Sequence, residues 1–314
     1  MRQIRAESAG VNSYELVAAD GGELPAFTAG AHVDVHLPGG LVRQYSLCND
    51  PAERHRYVIA VLREASGRGG SRTLHEHVRV RDTLAVGPPR NHFALAEDAA
   101  RVILLAGGIG VTPLKAMAHR LDMLAVDYEL HYCARDAGAA AFVDALAPLR
   151  ERGRVRFHFD GGRPEHGLDI AALLREPAPG AHVYYCGPAG FMAACAAASA
   201  HWPDGSVHCE HFAAPEPAPA DLAAARAPGA FAVTIASTGA TIEVGAEQSL
   251  VDALQRAGVA IETSCESGLC GTCRVRYLAG EVDHRDCVLG ADEQAEYLTA
   301  CVSRARTPTL VLDL

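Results

Sequence analysis

At 314 residues the chain is too long for one ordinary core, so two or three domains are expected. A formal net charge of −10 with a single lysine, Lys115, argues against a general nucleic-acid surface or an anionic-membrane patch. The opening MRQIRAESAG lacks an apolar signal core and no run of 18 apolar residues occurs; a cytoplasmic protein is therefore expected, its ten cysteines reading as ligands or buried thiols rather than disulfides.

From residue 1 to about 97, the short segments HVDVHL, LVRQYSL, RYVIAVLRE and DTLAVGPPR alternate between apolar and polar and are separated by turns. That pattern predicts an antiparallel β-barrel. In RQYSL, Arg43 and Tyr45 share a strand face, with Ser46 beside them. A guanidinium suits a phosphate, an aromatic face suits an isoalloxazine, and a hydroxyl suits a ring nitrogen. GRGGSRTLHEHV then offers Gly69, Gly70 and Ser71 before a helix-like stretch, a second phosphate nest. Either stretch alone also reads as a surface strand or loop.

From about residue 98 the rhythm becomes apolar strand followed by helix, as in RVILLAGG, TPLKAMAHRLDML, YELHYCA, AAFVDALAPLR, VRFHFD, LDIAALLRE, HVYYCGP and GFMAACAAASA. This alternation predicts an α/β domain with a parallel sheet. AGGIGVTPL, 106–114, leaves a strand and opens a helix, with Thr112 as the expected N-cap and Pro113 in the first turn. Helix N-terminal amides and glycines that permit close approach are what a pyrophosphate needs. The motif departs from the G-x-G-x-x-G fingerprint and alone reads equally as a tight turn. A second loop, CGPAGFM, carries Cys186, Gly187 and Pro188 at the end of a later strand. Ligands of such sheets lie at the carboxyl ends of strands, so the two loops together predict a nicotinamide nucleotide site. Cys186 as a packing thiol is the alternative. Asp136 after the second strand suits a ribose hydroxyl, whereas neighbouring Arg135 suits a 2′-phosphate.

The Ala- and Pro-rich stretch 213–229 reads as an exposed linker. A compact third domain follows, with strands FAVTIAS, TIEV and TLVLDL and a helix in SLVDALQRAGV. Within it Cys265, Cys270 and Cys273 form C-x4-C-x2-C, and Cys301 lies 28 positions beyond. This is the plant-type [2Fe-2S] spacing: two bridged irons need four thiolates, three of which one tight loop can supply. Gly268 and Gly271 remove bulk where backbone N–H groups should point at sulfur. Zinc is the rival, although structural zinc more often draws on two C-x2-C pairs. Cys301, immediately before the final stretch of the domain where the fold could return it to the loop, is the expected fourth ligand; Cys287 is also available and is then an ordinary thiol.

A nicotinamide gives two electrons together and a cluster accepts one at a time. A nucleotide site and a cluster on one chain therefore imply a flavin between them.

In that order, RQYSL, GRGGS, GGIGVTPL, CGPAGFM and the cysteine cluster span essentially the whole chain and resemble the phthalate dioxygenase reductase family, which includes vanillate demethylase reductases. The resemblance implies an FMN-binding barrel of the ferredoxin-reductase type over 1–97, an NAD-binding α/β domain over 98–225, and a β-grasp, plant-type ferredoxin domain over 226–314. It places Arg43, Gly70 and Ser71, with Gly69, near the FMN phosphate and Tyr45 and Ser46 at the ring. Gly108, Gly110 and Thr112 would line the pyrophosphate, and Cys186, Gly187 and Pro188 would sit near the nicotinamide. Phe212, in CEHF, is similar to the family aromatic that packs on the flavin, and reads equally as a core residue. NADH rather than NADPH follows from the family, with Asp136 toward the ribose.

The expected relay runs from NADH to FMN to the cluster without a protein general base, Ser46 and Cys186 acting by orientation. The family points to a terminal Rieske-type oxygenase acting on an aromatic substrate as partner, and a monomer is expected. Residues 230–314 hold 6 Arg and Lys against 12 Asp and Glu, which allows an acidic docking face or a merely solvated one. A stand-alone flavin reductase or diaphorase, and a ferredoxin-like carrier or redox sensor, are the rival functions.

Overall fold

The computed structural model describes residues 1–65, 67, 69–213 and 229–314. It divides into two compact units, Met1–Glu210 and His211–Leu314. Most of the linker stretch, residues 214–228, lies outside the described residues, as do the 225/226 boundary and Arg68 of the glycine-rich loop.

The first unit begins with β1 (Gln3–Ser8), β2 (Val11–Leu16), β3 (His32–His36), β4 (Val42–Ser46), β5 (Tyr57–Leu62) and β6 (Ala85–Val86). They form two antiparallel three-stranded sheets, β1-β2-β5 and β4-β3-β6. Alternation does the sorting: Val33 and Val35 of β3 are fully buried while Asp34 and His36 between and beyond them are not. With Tyr14, Leu47 and Ile59 they fill the barrel core, into which α1 (Gly70–His77) inserts Leu74. The expected strand DTLAVGPPR contracts to the two residues of β6. Pro88 and Pro89 follow after Gly87, and neither has an N–H for a ladder.

A parallel five-stranded sheet comes next, built from β7 (Arg101–Gly107), β8 (Asp127–Ala134), β9 (Val155–Phe159), β10 (Ala181–Cys186) and β11 (Val207–Glu210). Its order is β11-β10-β7-β8-β9, so the progression reverses between β7 and β10. After Arg101, strand β7 is apolar because both faces are covered. Val102 and Leu104 pack with Leu114, Met117 and Leu121 of α2 (Val111–Met123), and Ile103 and Leu105 pack with Met192 and Cys195 of the alanine-rich helix Ala189–Ser199. The first of these clusters also contains Val11, Ala29, Cys48, Ala60 and Phe93, so barrel and parallel sheet share one continuous core.

Helix α3 (Val143–Glu151) matches AAFVDALAPLR. The LDIAALLRE stretch yields only α4 (Ile170–Leu173), opened by Asp169, whose carboxylate accepts from Ala172 N. The alanine-rich helix is α5. Thr112 is not an N-cap: α2 starts at Val111 behind a 3-10 turn, Gly108–Gly110, and Gly110 is the cap. The Thr112 hydroxyl lies inside the helix and donates to Ile109 O at 3.0 Å.

In the second unit, β12 (Phe231–Ile235), β13 (Thr241–Val244), β14 (Arg274–Ala279), β16 (Tyr297–Thr299) and β18 (Thr309–Leu312) make a mixed sheet ordered β13-β12-β18-β14-β16. A two-stranded pair, β15 (Val282–Asp283) and β17 (Arg304–Ala305), lies in the same unit. Among the described residues of this sheet only the β12–β18 pairing is parallel. Helix α6 (Leu250–Arg256) buries Leu250, Val251 and Leu254 against Phe231, Val233, Leu298, Leu310 and Leu312. A short α7 (Ala291–Gln294) precedes β16. Ser249 caps α6 by accepting from Asp252 N at 3.0 Å. Ser249→Ala is expected to cost about 1 kcal/mol, read as a lowered Tm of the second unit.

Candidate functional site

On β4 the register sets Arg43 opposite Val35, Tyr45 opposite Val33 and Ser46 opposite His32. Arg43 and Tyr45 thus share a strand face. Gly69, in the left-handed region at φ 87°, precedes α1, and a Cβ on Gly70 would lie 2.5 Å from Arg43 Cγ. Gly70 is therefore the residue that lets the Arg43 side chain cross the start of the helix. A guanidinium and helix-start amides meet there, a donor set that fits a phosphate. The Ser71 hydroxyl accepts from Glu64 N at 3.1 Å and ties the loop to the end of β5. Burial pushes the Tyr45 phenol up against the opposing pull of Arg43, so it stays neutral.

The two glycine loops meet at the reversal between β7 and β10, where Rossmann-type sheets open a ligand crevice. A Cβ on Gly110 would lie 2.1 Å from Cys186 O, and one on Gly187 would lie 3.0 Å from Gly107 Cα. One on Gly107 would lie 2.9 Å from Pro188 Cδ. The backbones touch with no side chain between them. Gly108, at φ 54°, faces open space, room for a close-bound group. Thr112 is 2% exposed, so its contribution is to the shape of the turn.

Cys186 pairs across the sheet with Glu210, and Ser46 Oγ donates to Glu210 Oε2 at 3.2 Å. Burial pushes the Glu210 carboxyl up to about 7 against the Ser46 hydrogen bond, which favours the anion. Burial first and the Glu210 charge second hold the Cys186 thiol well above its usual value, so it is protonated and not a nucleophile. Ser46 and Glu210 can hold and exchange a proton; Cys186 contributes shape. Glu210 was not singled out from sequence, although CEHF contains it; an acidic residue ending the strand beside that of Cys186 was the available signal.

Lys115 was likewise read only as composition. It is 8% exposed, and its Nζ donates to Cys48 O at 2.9 Å and lies 3.1 Å from His119 Nε2. Helix α2 is thereby tied to the segment just after Ser46. Burial lowers the ammonium and takes His119 down to about 4.

Asp136 and Arg135 are exposed at the carboxyl end of β8. Asp136 Oδ1 accepts from Ala139 N at 3.0 Å, and the Arg135 stem passes Gly162. Phe212, 42% exposed, falls in the second unit.

In that unit Cys265, Cys270 and Cys273 are buried, Cys301 is partly buried and Cys287 is exposed. The thiols act on one another two and two, Cys265 with Cys270 and Cys273 with Cys301, and Ala300 N donates to Cys273 O at 3.0 Å to bring the second pair together. These interactions drive the Cys270 thiol down to about 5 and lower Cys273. Leu269 N reaches Cys265 Sγ at 3.3 Å and Thr272 N reaches Cys270 Sγ at 3.4 Å. Gly268 and Gly271 both occupy the left-handed region, at φ 71° and 67°. Among the described residues no three His, Cys, Asp or Glu side chains are gathered to hold a single metal ion. A two-by-two set with amides aimed at sulfur fits a diiron rhomb in which each iron takes one pair.

Residues 233–306 match the 2Fe-2S iron-sulfur cluster binding domain family. The chain is 55% identical over 319 residues to the tert-butanol monooxygenase / tert-amyl alcohol desaturase reductase subunit of Aquincola tertiaricarbonis, covering 100% of this chain and 95% of that protein. A solved phthalate dioxygenase reductase, described as a modular structure for electron transfer from pyridine nucleotides to [2Fe-2S], is 40% identical with a TM-score of 0.76 over 99% of this chain and 96% of that one. An intact type IV self-sufficient cytochrome P450 monooxygenase is 39% identical with a TM-score of 0.85, and this chain spans 40% of its length.

Two outcomes follow from this geometry. Cys301→Ser is expected to lose bound iron and sulfide, whereas Cys287→Ser retains both, as iron and acid-labile sulfide analysis reads. The folded value of Glu210 lies above 4.5, so the stability it contributes is complete below that pH and is lost as pH rises through about 7. Glu210→Gln, always neutral, should gain on the unaltered protein between about pH 5 and about pH 8, by at most about 3 kcal/mol, seen as a pH-dependent difference in Tm.

Proposed function

The chain belongs to the phthalate dioxygenase reductase family, and from that premise we propose that it is the reductase component of a terminal oxygenase or demethylase, carrying electrons from NADH through FMN to a [2Fe-2S] cluster. The observation that carries this is the two-by-two pairing of Cys265 with Cys270 and Cys273 with Cys301, on a chain that also holds two glycine loops in backbone contact at a strand-order reversal. Bound flavin takes electrons from the nicotinamide in a pair and releases them singly, which the cluster can accept.

The chain's own residues bind and orient. Arg43 with Gly69, Gly70 and Ser71 would hold the FMN phosphate, and Tyr45 and Ser46 would border the ring. Gly108 and Gly110 would admit the pyrophosphate, with Thr112 keeping the turn in shape. Cys186, Gly187 and Pro188 would line the nicotinamide side, and Asp136 would favour the ribose hydroxyls of NADH. The protonated Cys186 thiol packs without competing as a nucleophile, while Ser46 and Glu210 hold a proton at the end of β4. Residues 1–97, 98–225 and 226–314 are the flavin, nucleotide and cluster modules of this reading.

We take the partner to be a Rieske-type oxygenase and the working form to be a monomer in the cytoplasm. Among the described residues no helix is long and apolar enough to cross a membrane. The relative at 55% identity is named for tert-butanol and the structural neighbour for phthalate, so aliphatic and aromatic substrates both remain open to the partner oxygenase.

The test separates the two halves of the relay. Cys270→Ser is expected to abolish NADH-driven cytochrome c reduction while ferricyanide reduction continues. Unchanged cytochrome c reduction would remove the cluster from the path and leave a flavin reductase. No NADH oxidation by the unaltered protein would favour a carrier or sensor.

A further inference from the structure

Beside the cysteine loop lies a carboxylate that the relay has not used. The Asp286 side chain is 0% exposed, and its Oδ2 is buried without a hydrogen-bond partner, as is Nδ1 of neighbouring His284. The two stand 3.8 Å apart, beyond hydrogen-bond range. Asp286 Oδ1 accepts from Val288 N at 3.2 Å and Leu289 N at 2.8 Å. Arg285, between them in sequence, turns away and binds Asp283 at 2.7 Å, which Arg306 also approaches at 3.6 Å. Among the described residues no guanidinium is bonded to Asp286.

The backbone and Cβ of Asp286 are seated on the cluster loop. A Cβ on Gly268 would lie 3.0 Å from Asp286 Cα and 3.2 Å from its Cβ, and Cys287 N donates to Gly268 O at 3.1 Å. The amide that follows Gly268, Leu269 N, donates to Cys265 Sγ at 3.3 Å. Hydrogen bonds to sulfur and local net charge are the levers by which a protein sets a cluster's potential, and Asp286 touches both.

We propose that Asp286 is a positioning residue of the cluster centre, its Cα and Cβ packed on Gly268 so as to fix the neighbouring Leu269 N–H that Cys265 accepts, and its buried carboxylate placing negative charge that lowers the cluster's reduction potential. The inference rests on the [2Fe-2S] reading of the four cysteines. It gives the HRD segment, His284 to Asp286, a task in electron delivery, since a more negative cluster is the stronger donor to an oxygenase.

Asp286→Asn keeps an acceptor for Val288 and Leu289 while removing the charge. Redox titration of the full-length protein, followed by visible and EPR spectra, is expected to show wild-type iron and sulfide content and an upward shift in midpoint. At a fixed poised potential the reduced-to-oxidised ratio should rise about tenfold, the order of a unit charge's effect inside a protein. Asp286→Glu, with the charge kept, should stay near the wild-type midpoint, whereas Asp286→Ala should shift and also lose iron faster to a chelator. A loaded cluster at the wild-type midpoint in both the Asn and Ala variants overturns the inference and leaves the cluster assignment standing. A shift in the Ala variant alone overturns the charge component. Absence of iron and sulfide from the unaltered protein overturns the cluster assignment itself.

Discussion

Two stretches of backbone come together at the reversal of strand order in the parallel sheet, and the hydrogen bonds of Lys115 to Cys48 and of Ser46 to Glu210 flank their contact. Gly110 sits so close to the Cys186 carbonyl that no side chain fits between them. Helix α2 leaves one side of this contact and carries Lys115 to the Cys48 carbonyl, directly after the strand that bears Tyr45 and Ser46. Strand β10 ends on the other side with Cys186 in register with Glu210, whose carboxylate accepts from Ser46. Strand β4, the GGIG turn and the CGP turn are thus linked through two hydrogen bonds and one bare backbone approach. Residues far apart in sequence share a core because barrel and sheet pack into one apolar cluster.

The polar groups buried here have partners that suit their chemistry. Lys115, the sole lysine, is desolvated and donates to a carbonyl and a histidine. Glu210 is desolvated toward neutrality, and Cys186 and Tyr45 are kept protonated. None of these is an activated nucleophile. A site of this kind favours positioning and the control of charge over acid–base or covalent work, in keeping with a reaction whose difficult chemistry belongs to bound cofactors.

The second unit solves a different problem with its own core. Four thiols must be brought together while the backbone between them still offers amides to sulfur. Left-handed glycines at 268 and 271 allow the loop to double back, and the sheet beneath carries Cys273 and Cys301 to the same place. Asp286, whose Cα and Cβ pack on Gly268, adds a buried carboxylate, with its cationic neighbour Arg285 engaged elsewhere. Loop geometry and electrostatics are therefore carried by the same few residues.

Local pattern alone determined the change from alternating antiparallel strands to strand–helix units, the position of α6, and the three closely spaced cysteines. All of these depend on neighbours within a few positions, where side-chain period and capping chemistry act. Helix starts were less legible. Thr112 has the composition of a cap, yet a 3-10 turn brings the start forward to Gly110, because backbone packing against Cys186 admits only glycine there. Tertiary structure decided that Cys301 rather than Cys287 reaches Cys273, that Glu210 faces Ser46, and that Lys115 is buried rather than exposed. Those pairings span from 28 to 164 positions of sequence. They follow from which strand ends the sheet order places side by side, and no local spacing encodes that order.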